Sequence, residues 1–132
     1  DPVSHYRHIS AEPYPGTPPH QVLLGSATGD WQVALLTNEI VTRSEVGVAL
    51  LPGYGKEVPL VTPAPYPHQG SGLVNYSFGN PWPPPGNEPP FDELGDPHGK
   101  PRGLKWHNAQ MMHFFRTGEI IDVCGGNGCT PD

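Results

Sequence analysis

The sequence predicts a mainly β fold: a small antiparallel sheet or sandwich with one C-terminal α-helix and long Pro/Gly-rich loops. Three observations point there. Short apolar runs with period-two alternation recur between residues 21 and 78. Glycine and proline, 17 and 19 of 132 residues, interrupt the chain too often for many long helices. One stretch near the C-terminus, Leu104 to about Arg116, carries large apolar side chains without a helix breaker.

The length fits a single domain over residues 1–132. Residues 1–20, "DPVSHYRHISAEPYPGTPPH", read as an extended, proline-punctuated arm, because the residue before a proline is biased to β or polyproline geometry. His5 and His8, three apart on such an arm, would face opposite sides and form no chelate. A β-rich core follows over residues 21–78. "QVLLG" is a short apolar run. "DWQVALLTNEIVT" reads as a strand, with Trp31, Val33 and Leu35 on one face and Ala34, Leu36 and Ile40 on the other; Asp30 could also cap a helix here. "SEVGVALLPGYG" is the clearest strand, Val46, Val48 and Leu50 opposing Gly47 and Ala49. "KEVPLVTP" reads as an edge strand, since Pro59 cannot donate to a ladder. "GLVNYSFG" alternates as a half-buried strand.

Residues 79–103 form a proline-rich loop, long enough to expect that it is functional or lies against something. Residues 104–132 then give the helix, stopped by Gly118, a closing strand in "EIIDVCG", and a disulfide loop. On the helix Leu104, Met111 and Phe115 would share a face. Cys124 and Cys129 bracket four small residues, so a disulfide that pins the C-terminus is expected, and with it an extracellular or other oxidising compartment. A metal site would need further ligands that no second cysteine pair supplies; no metal and no cofactor is implied.

The core material is thin: Leu, Ile, Val and Phe make up 28 of 132 residues. Twelve aromatic residues nevertheless argue against disorder. The net charge of −6 disfavours general attraction to nucleic acid or anionic membrane. No apolar run is long enough for a membrane span. A chain that opens "DPVSHYRH" reads as processed or excised from a longer precursor.

Two functions from different classes fit this pattern. The first is a secreted or processed, non-enzymatic interaction or assembly protein. Its polyproline segments "NPWPPPGNEPPF" and "TPAPYPHQG" would contact protein partners or copies of the chain, with Tyr66, Trp82 and Phe91 as aromatic anchors. His113, on a helix face with Gln110 and Arg116, joins this binding set. The alternative is a small exported histidine-dependent hydrolase of toxin-like nuclease type, with its site in residues 96–119; only then would nucleic acid be a partner. His98 or His107 with Glu119 would move protons, and Lys100 or Arg116 would hold a phosphate. His107 and His113 are six residues apart and point to different sides of a helix, so one metal cannot take both.

Overall fold

The computed structural model describes residues 2–44, 47–86, 88–126 and 129. It corrects the expected fold class. The molecule is mixed α/β, about 26% helix and 15% strand, and its larger sheet is parallel. Strand β1 (Leu23–Ala27) leads to helix α1 (Leu35–Ser44) and strand β2 (Ala49–Leu50). Strands β3 (His68–Gln69) and β4 (Gly72–Tyr76) precede helix α2 (Lys105–Thr117) and strand β5 (Glu119–Ile120). Strands β1, β4 and β2 lie side by side in that order, all parallel, while β3 and β5 form a separate antiparallel pair.

Parallel sheets are covered on both faces, so their strands read as continuous buried runs. All five residues of β4 are buried, although the sequence alternation suggested half. Gly72, Val74 and Tyr76 face a cluster that includes Leu51, Phe114 of α2, Ile120 of β5 and Cys129. Leu73 faces the other way, onto Leu50, Tyr54 and Val58. Helix α1 covers that second face, packing on β1 and β4. Ile120 and Leu73 have no exposed surface, and each contributes on the order of 2 kcal/mol of hydrophobic stabilisation.

The segment read as a strand at residues 30–42 is largely helix. The buried residues of α1 include Leu35, Glu39 and Thr42, spaced as one helical face. Two of those three are polar, which hid the helical period from a hydrophobicity reading. Both are satisfied: Tyr54 donates its hydroxyl to Glu39 at 3.0 Å, Lys56 pairs with Glu39 at 2.7 Å, and Thr42 Oγ1 donates to the Asn38 carbonyl.

Three other expectations change. Residues 2–8 form a 3₁₀ helix rather than extended arm, which stacks i and i+3 on one side. His5 and His8 therefore sit 6.3 Å apart between ring centroids, and His8 stacks on Tyr14. The strand expected in "SEVGVALLPGYG" is paired only at Ala49–Leu50, and Val46 lies outside the described residues. Around Pro59 the chain turns, with Leu60 at φ 69°, and the stretch that lies along β2 is residues 62–64.

Helix α2 ends as read: Gly118 adopts φ 71° and its N–H closes on the Phe114 carbonyl. Its core face, however, is Trp106, Gln110 and Phe114, while Phe115 is 70% exposed. Gln110 belongs inside because Tyr76 donates its hydroxyl to Oε1 at 2.7 Å and Nε2 donates to the Ile121 carbonyl at 2.8 Å. Cys124 and Cys129 are disulfide-bonded. The bond holds Cys129 beside β4, where the Ser77 N–H donates to the Cys129 carbonyl at 2.7 Å. From Gly79 to Gly99 no described residue lies in a helix or strand.

Candidate functional site

In open parallel sheets, ligands are met beyond the carboxyl ends of the strands. Here β1 runs out into Thr28-Gly29-Asp30 and β4 into Ser77 to Asn80. A buried polar chain joins the two strands beneath this edge. Ser26 Oγ donates to Asn75 Oδ1 at 3.0 Å, and Asn75 Nδ2 donates to Thr28 Oγ1 at 2.8 Å. Gly29, at φ 75°, lets Asn80 approach so closely that a Cβ would lie 2.7 Å from the Asn80 Cβ. Asn80 in turn donates to the Gly95 carbonyl at 3.1 Å, while its Oδ1 is buried without a partner among the described residues.

The turn after Gly29 and the loop around Asp96 are laced together by two carboxylates. Asp30 Oδ1 accepts the N–H groups of Gln32 (2.8 Å) and Val33 (2.9 Å), an Asx turn that aims its other oxygen outward. That oxygen receives His98 Nδ1 at 2.9 Å. Asp96 accepts from the Gln32 side chain at 2.8 Å, from the His98 N–H at 2.9 Å and from the Trp31 N–H at 3.3 Å. These bonds, the Gln32 amide foremost and the His98 N–H next, hold the Asp96 carboxyl below the usual carboxylate range.

An ionised carboxylate only accepts, so the Asp30 contact places the ring hydrogen of His98 on Nδ1. The other ring nitrogen, Nε2, meets Arg102 Nη2 at 3.5 Å, a contact at the outer limit of a hydrogen bond. On the two segments joined by these bonds, Trp31, Val33 and Leu36 on one and Phe91 and Leu94 on the other are between 37% and 58% exposed.

The residues named from the sequence fall in several places. His98 sits in the dyad. His107 packs edge-on against the Tyr76 ring, 5.1 Å between centroids. Glu119 pairs with His113 through Nε2 at 2.9 Å, and Arg116 is exposed in the last turn of α2. The structure thus brings His113 and Glu119 together and joins neither to His98. Of the aromatic anchors, Trp82 turns inward onto Tyr54 and fills the space over Gly55, with Lys56 above its ring. Tyr66 packs against the core around Gln110; burial, first of all, pushes its hydroxyl up to about 12. Burial likewise raises Tyr76 and Tyr54. Phe91 remains 41% exposed.

Three residues of this edge escaped the sequence reading. From the sequence Asp30 reads only as a helix cap, Trp31 as a residue of a strand face, and Asn80 as one more polar residue in a loop. The contact between Asp30 and His98 spans 68 positions, and no local pattern announces it.

Two recesses lie elsewhere. A shallow groove of about 220 Å³ lies between Pro52–Lys56 and Pro63–Ala64 at the end of β2. An enclosed space of about 10 Å³ beside the disulfide, among Tyr66, Asn75, Gln110 and Asp122, has room for no more than a water. Among the described residues no three His, Cys, Asp or Glu side chains group as a metal site, and no helix is long and apolar enough to cross a membrane. A scan against protein-family models found none that matches the chain, and searches of curated proteins and of solved structures returned no match.

Proposed function

We propose that this chain is a disulfide-pinned interaction or assembly protein of an oxidising compartment, and that its contact surface is the apolar rim of the β1 edge. The observation that carries this reading is the exposure of Trp31, Val33, Leu36, Phe91 and Leu94 on two segments that Asp96 and Asp30 hold together. Exposed apolar groups on two linked segments are the material of a contact surface, and tryptophan is among the residue types that dominate interface energies. The anchors shift relative to the sequence expectation. Trp82 and Tyr66 are spent on the core, Phe91 keeps its exposure, and Trp31 joins it.

Native mass measurement tests the assembly form of the reading. The purified chain is expected to appear above its 14.3 kDa monomer mass in a concentration-dependent way. Trp31→Ala and Phe91→Ala are expected to restore the monomer. A wild-type chain that stays monomeric at every concentration up to about 100 µM, where a Kd tighter than that would show, counts against self-assembly.

A further inference from the structure

The dyad itself is not explained by an interaction surface. Besides tying two loops together, the pair sets the second imidazole nitrogen against the Arg102 guanidinium at 3.5 Å, the outer limit of a hydrogen bond. Asp30 is 10% exposed and doubly fixed by its Asx turn, so it holds the imidazole in one orientation. His98 keeps 23% of its side chain exposed, and the nitrogen away from Asp30 faces Arg102, which is exposed on the short 3₁₀ turn Lys100–Gly103. The parts present are an oriented proton acceptor and a cation. They lie over the carboxyl edge of a parallel sheet, where such groups meet substrates.

The spacing restricts the substrate. The Arg102 nitrogen lies 3.5 Å from His98 Nε2, so the anionic oxygen it holds and the atom under attack must belong to one small group. A phosphodiester has that form: its single negative charge sits on the oxygens of the reacting phosphorus. Asp30 and Asp96 beside the site, with the chain's net charge of −6, disfavour dianionic monoesters and polyanions. We propose that Asp30, His98 and Arg102 form an acid–base site for hydrolysis of small phosphodiesters. Water adds to phosphorus as His98 Nε2 takes its proton. The bond from phosphorus to the leaving alkoxide then breaks, and His98 returns that proton to the departing oxygen. The products are a phosphomonoester and an alcohol. Arg102 holds the non-bridging oxygens throughout, and Asp30 stays ionised on Nδ1–H.

The test uses the intact chain with bis(p-nitrophenyl) phosphate, followed by release of nitrophenolate. Turnover above buffer is expected. His98→Gln should lower kcat/KM by about 100-fold or more, the usual worth of a positioned proton carrier. Arg102→Gln should lower it by a similar factor. His20→Gln, at an exposed ring remote in sequence from the dyad, should leave it unchanged. Thermal melts accompany each variant. Should His98→Gln fail to fold, the exposed Arg102 carries the test alone. No turnover by the wild type, or turnover that survives either substitution in a folded variant, overturns the proposal.

Discussion

Gly72→Ala is expected to be among the most damaging single-methyl additions to the sheet. Gly72 opens β4 between β1 and β2, and its missing side chain points into the cluster under α2 and β5. A Cβ there would lie 2.6 Å from Ile120 Cδ1 and closer still to Leu51 Cδ2. Both neighbours are the ends of side chains, but Leu51 is 1% exposed and Ile120 not at all, so neither has a vacant direction in which to move. Overpacking of this kind costs roughly 1–3 kcal/mol. With an unfolding entropy of about 2.1 cal/mol/K per residue, a loss of about 2 kcal/mol lowers Tm by roughly 7 °C for a chain of this size. Gly25→Ala in the adjacent strand is the matched control. Its Cβ would meet only Tyr76 Cε2 at 3.6 Å, an ordinary contact, so stability should hold or rise by up to about 0.5 kcal/mol. Scanning calorimetry reads both variants. Leu51→Ala in the Gly72→Ala background should cost less than the sum of the single changes, because it vacates the clashing volume. Equal melting temperatures for Gly72→Ala and Gly25→Ala would refute the placement of β4 between these layers.

Other outcomes follow from the same packing. Tyr76→Phe deprives Gln110 Oε1 of a buried donor and should cost about 1–2 kcal/mol in urea unfolding, with an unchanged m-value. Replacing both Cys124 and Cys129 by serine removes a six-residue crosslink; chain-entropy arithmetic puts the loss near 2 kcal/mol by thermal melt. Tyr66 is raised to about 12 in the fold, so its contribution is complete below pH 10 and is lost as pH climbs from 10 through 12; absorbance at 295 nm should show late tyrosinate formation, and Tyr66→Phe should remove that part of the alkaline loss. The Asp96 carboxyl is depressed, so its contribution is present above the ordinary carboxylate range and is lost as pH falls below about 4. Indole fluorescence should report loosening around Trp31 there, and Asp96→Asn should flatten that acid transition.

The course of the chain past Leu104 was legible in the sequence because its signals are local. Helix α2, its stop at Gly118 and the disulfide depend on residues within a few positions of one another, and a left-handed glycine or a short cysteine loop means the same thing in any context. From Gly79 to Gly99 the described chain is irregular, whereas residues 100–103, expected as the end of that loop, form a 3₁₀ turn. The direction of the sheet was not legible. Whether "GLVNY" lies half-exposed in an antiparallel hairpin or buried at the centre of a parallel sheet is decided by what covers its second face, and that is α1, a helix whose buried residues are partly polar. Glu39 reads as a surface residue until Tyr54 and Lys56, 15 and 17 positions later, arrive to satisfy it. Asp30 and His98 are the extreme instance: the sequence offers His98 as a candidate proton carrier and Asp30 only as a helix cap, and only the parallel pairing of β1 with β4 places their loops at a common edge. Composition and local turn chemistry thus set which segments bend, stop and crosslink, while the partners of the buried polar groups, and with them the site, came from contacts between segments dozens of residues apart.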